Sequence, residues 1–158
     1  MLVTVTPALA LVLVLLQAPA PTPAAPSPDP ASSVFPGPAG LLLVLVKPAA
    51  TADYEALVRV LQDAMSKTAD PQRQRVAQGW RVFKAAEGDA KGNAVYVHVL
   101  LPAEPGFDYR PSLLVDEMVE ALPPDLLSKY REALAAPPSK LSLTEFAHMA
   151  VVPVAKLK

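Results

Sequence analysis

The chain has 158 residues, 14 basic and 15 acidic residues, a net charge of −1 and no cysteine. That length suits one domain, and the missing cysteines exclude disulfides, thiolate metal sites and thiol catalysis. The balanced charge leaves no basic excess with which to hold nucleic acid, and no phosphate-binding, metal or catalytic-triad pattern appears in the sequence, so neither a cofactor nor a metal is expected.

In chain order, Ala8-Leu-Ala-Leu-Val-Leu-Val-Leu-Leu16 is an apolar core of signal-peptide length, followed by the small residues Gln17-Ala-Pro-Ala20. No Lys or Arg precedes it. An uncleaved anchor is the competing reading, although the stretch falls short of the ~20 apolar residues of a spanning helix. Residues 1–20 are therefore expected to be a signal peptide or anchor, with removal at about residues 20 to 24 and a secreted or periplasmic protein as the result; a membrane is a partner only if the segment is retained. Residues 19 to 40 hold eight of the 19 prolines. Proline resists helix and interior strand, so residues 21–39 are expected to form an extended linker that adds no folding stability.

The folded part is expected over 40–153, with 154–158 a frayed tail. Gly40 and Lys47-Pro48 bracket six apolar residues, Leu41 to Val46. Alternation along a strand puts Leu41, Leu43 and Leu45 on one face and Leu42, Val44 and Val46 on the other, and the absence of any polar set predicts a central strand buried on both faces. Thr51 is placed to cap a helix from about Ala52 to Lys67, whose apolar face is Tyr54, Leu57, Val58, Leu61 and Met65. Asp70-Pro71 starts a second, short polar helix that ends at Gly79. Trp80 to Ala86 and Ala94 to Leu101 read as strands of an antiparallel hairpin around the turn-rich Glu87–Asn93. Val95, Val97 and Val99 are taken as its core face, joined by Phe83 if Ala85 pairs with Val95; Trp80, Val82 and Lys84 then lie with Tyr96 and His98. A loop follows from Pro102 to Pro111, then helical segments around Leu114–Leu122 and after Pro124, then a strand over Leu141 to Val152.

Strand, helix, two strands, helix, strand predicts an α+β fold: ferredoxin-like βαββαβ, an antiparallel sheet with its helices on one face. On this order, with the Trp-Arg-Val strand, the Val-Tyr-Val-His-Val strand and the Asp108-Tyr109 loop, the chain resembles the dimeric α/β-barrel group. That group includes monooxygenases and haem-handling enzymes, but no catalytic residue carries over to this sequence. His98 and His148 would sit on strands about 10 Å apart, on either side of the Leu41 strand, too far to share a metal.

Trp80, Tyr96 and His98 form a candidate ligand-binding floor, because aromatic rings with polar tips suit either a pocket or a subunit interface. Asp108 and Tyr109 are further candidates, set against loop closure and helix capping. The reading that follows is an exported, non-enzymatic homodimer that binds a small molecule or an envelope protein. Its alternative is a monooxygenase-like enzyme with a cavity on the open sheet face. Right-handed crossovers leave one sheet face bare in the monomer, and Trp80, Val82 and Tyr96 are expected on that face.

Overall fold

A computed structural model of the chain describes residues 32–149. The expected signal peptide, most of the linker and the tail lie outside those residues. The described part is a mixed α+β fold with a four-stranded antiparallel sheet, open at both edges, and four helices, an arrangement compatible with a ferredoxin-like fold. The strands are β1 (Ala39–Val46), β2 (Trp80–Lys84), β3 (Ala94–Leu100) and β4 (Ser139–Leu143), in the order β2-β3-β1-β4. The helices are α1 (Thr51–Lys67), α2 (Pro71–Gly79), α3 (Pro111–Met118) and α4 (Leu126–Ala133).

β1 alternates between buried and half-buried residues. Leu42, Val44 and Val46 are buried in one core with Tyr54, Leu57, Leu61 and Met65 of α1, Leu114 and Val115 of α3, and Leu126 and Tyr130 of α4. Leu41, Leu43 and Leu45 are only half-buried. The expectation that both faces of β1 are covered therefore holds for one face alone, because the helices all pack on the Leu42, Val44 and Val46 side.

The ladder decides the rest. Leu42 pairs with His98 and Val44 with Tyr96, while Val82 pairs with His98 and Phe83 with Val97. The expected Ala85–Val95 hydrogen bond is present at 2.9 Å, and the residues group as predicted. The side is reversed: Tyr96, His98 and Leu100 are buried under the helices, and Val95, Val97 and Val99 point away from them. Trp80, Val82 and Tyr96 accordingly leave the bare face for the helix face. Alternation reveals which residues travel together, but aliphatic residues on both faces give no sign of which one the helices choose. The open face then carries Leu41, Leu43 and Leu45 of β1, Val95, Val97 and Val99 of β3, Phe83 of β2, and Leu141 and Leu143 of β4.

Two boundaries also move. α1 follows a 3-10 turn at Pro48–Ala50 and no side chain caps it; Thr51 is already helical. Asp70 does cap α2, accepting from the Gln72 and Arg73 amides at 2.7 and 3.2 Å. The last strand is shorter than expected. β4 ends at Leu143 because its partner β1 begins at Ala39, and Thr144 to Met149 run on without regular structure, His148 among them.

The linker also ends early, for Ser33–Pro38 belongs to the fold. The Ser33 amide donates to Asp108 Oδ1 at 3.1 Å, the Ala103 amide to the Pro38 carbonyl at 2.6 Å, and Phe35 is fully buried. A Cβ on Gly40 would overlap the Phe35 ring, so the glycine read as a strand breaker is the space into which this ring docks.

Candidate functional site

α1 packs over β1 and β3, which leaves the helix-side surface of the edge strand β2 uncovered. A groove of about 570 Å³ runs there. Val58, Leu61, Gln62 and Met65 of α1 form one wall, Ala77 of α2 one end, and Trp80, Val82 and Lys84 of β2 the other wall; Tyr96 and His98 lie at the floor. Its size is that of a small-molecule site.

His98 is 1 % exposed, and both of its ring nitrogens are engaged. The Trp80 indole N–H, which can only donate, donates to Nδ1 at 3.0 Å. Nε2 must then carry the imidazole proton, and it meets the Tyr54 hydroxyl at 2.5 Å. Burial pulls the His98 pKa down from 6.5 to about 4, since a charged ring in an apolar core is poorly solvated. A neutral imidazole with no free nitrogen holds Trp80 and Tyr54 in place and has no lone pair left to accept a proton from a ligand. Burial also raises the Tyr54 hydroxyl well above its ordinary value, with Tyr130 and Tyr96 adding to the shift.

At the other end of the floor, the Tyr96 hydroxyl donates to Glu55 Oε1 at 2.6 Å, and Lys84 Nζ donates to the same oxygen at 2.9 Å. The Tyr96 hydrogen bond and then Lys84 hold the Glu55 carboxyl below its usual range. Lys84 Nζ also stands 5.5 Å from the centre of the Tyr96 ring, within cation–π range.

Of the residues singled out from sequence, Trp80, Tyr96 and His98 thus meet in one groove, while Asp108 and Tyr109 do not line it. Asp108 accepts from the Ser33 and Arg110 amides and pairs with the Arg110 guanidinium at 2.8 Å. Tyr109 is fully buried, edge-on to Trp80 with ring centroids 5.2 Å apart, so it backs the groove's tryptophan from behind. Sequence reasoning missed Tyr54 and Glu55 as members of the site, and put Lys84 on the right face without giving it a role. Tyr54 was placed on the apolar face of α1, and a phenol on such a face is the one signal that a buried hydrogen-bond partner lay opposite.

Among the described residues no group of three or more His, Asp or Glu side chains is arranged to hold a metal ion. No family model, no curated protein and no solved structure matches the chain.

Proposed function

We propose that the chain is an exported homodimeric binding module of ferredoxin-like fold. The strand order β2-β3-β1-β4 is the one in which each helical connection crosses over a single intervening strand, and this supports the ferredoxin-like reading. The observation that carries the dimer is the open sheet face. Nine apolar side chains from all four strands lie on it, with Arg81 and Ser139 as its polar residues. From strand spacing and rise it measures roughly 400 Å² in plan, the size of the largest contiguous apolar patch on a typical monomer, which is often a functional contact surface. Residues 144–149, which follow β4, do not fold over it: Phe146 is 100 % and Met149 88 % exposed. A second copy of the same sheet, stacked about 10 Å away, is the cover that fits.

Leu43→Asp puts a carboxylate in the middle of this face without touching the helix-side core. It is expected to weaken dimerisation at least 100-fold, read as a shift from dimer to monomer by sedimentation at micromolar concentration, with the far-UV circular dichroism unchanged. A wild-type monomer under the same conditions contradicts the proposal. Leu42 and Val44, on the other side of the same strand, are buried beneath the helices, and an aspartate there would unfold the domain instead. Export is tested separately: N-terminal sequencing of the protein from the host's envelope fraction should begin at about residues 20 to 25, and an intact Met1 in the cytoplasm contradicts it.

A further inference from the structure

We infer that residues 144–149 of one copy add a strand to the free edge of β2 in another copy, with Phe146 seated in the α1–β2 groove and Glu145 beside Arg81. This contact uses an edge and a tail rather than the open sheet face, so it goes beyond the proposed dimer and does not rest on it.

The edge offers a strand its backbone. The Ala85 amide donates to the Val95 carbonyl at 2.9 Å and the Leu101 amide to the Gly79 carbonyl at 2.8 Å, so Ala85 and Gly79 turn their backbone groups toward β3. Alternation turns Arg81 and Phe83 the same way and leaves the N–H and C=O groups of Trp80, Val82 and Lys84 facing outward. An added strand pairs with these groups and sets every second side chain against the groove.

The tail supplies such a strand. The sequence predicts strand over Leu141 to Val152, with Thr144 and Phe146 among the residues that favour it, yet β4 stops at Leu143, where β1 has no further residue to pair with it. Phe146 is left 100 % exposed. A strand places Glu145 and Phe146 on opposite faces, as β2 places Arg81 and its neighbours Trp80 and Val82. With Glu145 beside Arg81 on the open-face side, Phe146 falls on the helix side, where Leu61, Met65, Trp80 and Val82 line the groove.

Charge selects the strand. Lys84 is already paired with Glu55, whereas Arg81 and Glu145 form no ion pair among the described residues. An uncompensated cation on an edge discourages pairing with a generic strand, and an acid directly opposite removes that cost. Reach selects the copy. In the order β2-β3-β1-β4, a strand added beyond β2 lies four spacings from β4, roughly 19 Å. The chain from Leu143 to Phe146 spans at most ~10 Å, so Phe146 cannot enter the groove of its own copy.

Trp80 is the single tryptophan, and the chain has no cysteine, so a quencher can be attached at one chosen thiol. One version of the chain carries Trp80→Phe and Ala147→Cys with a nitroxide on that thiol; the other is wild type. Trp80 emission then falls only when the labelled tail reaches another copy's groove. Small contacts are weak, so half-quenching is expected at about 0.1 mM, above the micromolar range in which sedimentation reads the open-face dimer. Phe146→Ser in the labelled version should raise that concentration at least about tenfold. Arg81→Glu in the reporter version should raise it at least about threefold, and Glu145→Arg in the labelled version should then recover it. Leu43→Asp in both versions should leave the quenching in place, so that a failure of the open-face dimer does not count against the tail. No saturable quenching, quenching indifferent to Phe146→Ser, or no recovery on exchanging the charges would each overturn the proposal.

Discussion

Replacing Phe35 with alanine lowers the thermal midpoint of the domain by about 10–20 °C, the counterpart of the 3–5 kcal/mol typical for a buried phenylalanine. The ring is fully buried, sits edge-on to Tyr109 with centroids 5.8 Å apart, and fills the space above Gly40. Its loss leaves a cavity where β1, the Asp108–Tyr109 loop and the Ser33–Pro38 segment meet. The Ser33 amide and the Tyr109 amide hold this segment from two sides, through Asp108 and the Ser33 carbonyl. A chain that begins at Ala39 should therefore be less stable, by at least as much, than one that begins at Ser32. Differential scanning calorimetry of the three proteins decides it. Equal midpoints would mean that the segment adds nothing, as its proline content had suggested.

The second large effect is acid destabilisation through His98. Its folded pKa of about 4 lies below the unfolded value of 6.5, so the unfolded chain takes up a proton first as pH falls. The stability contributed by the neutral ring is fully present above pH 6.5 and is lost as pH drops toward 4, by about 3 kcal/mol at full extent. Protonation has a geometric cost as well, since Nδ1 would carry a proton facing the Trp80 N–H. His98→Phe keeps the ring volume but strands the Trp80 donor and the Tyr54 hydroxyl, and should cost about 1–3 kcal/mol at pH 7. The same variant should lose much less than the wild type between pH 7 and pH 4. Glu55, Glu104, Asp89 and Asp125, each held below its usual range, contribute equally to both proteins, so the difference between the two urea-unfolding series isolates the histidine. Parallel pH profiles would contradict the buried hydrogen-bonded ring.

Much of this architecture is legible without coordinates, and the reasons are local. The apolar spacing of Tyr54, Leu57, Leu61 and Met65 specifies α1 to within a residue, and the breakers around Leu41–Val46 specify β1. Asp70-Pro71 marks α2 by a cap that the structure reproduces. What sequence could not reveal depends on partners distant in the chain. The face that the helices cover was reversed because Val95, Val97 and Val99 are more uniformly apolar than Tyr96, His98 and Leu100. The polar atoms of the latter set are satisfied only by residues elsewhere: Glu55 for Tyr96, and Tyr54 and Trp80 for His98. β4 stops where its antiparallel partner β1 begins, a limit that its own residues do not encode. Phe35 looked like linker because three prolines surround it at positions 30, 36 and 38; only the glycine opposite gives it a place.

The same reversal strengthens the case for assembly, since the most uniformly apolar set of side chains is the one the helices leave bare. Its most direct test is an isotope-filtered nuclear Overhauser measurement on a one-to-one mixture of labelled and unlabelled domain. Stacked sheets predict cross-peaks between copies that join the methyl groups of Leu43 and Val97 and the Phe83 ring to one another. Cross-peaks from Met65 and Val82 alone, or none between copies at all, would contradict a dimer built on the open sheet.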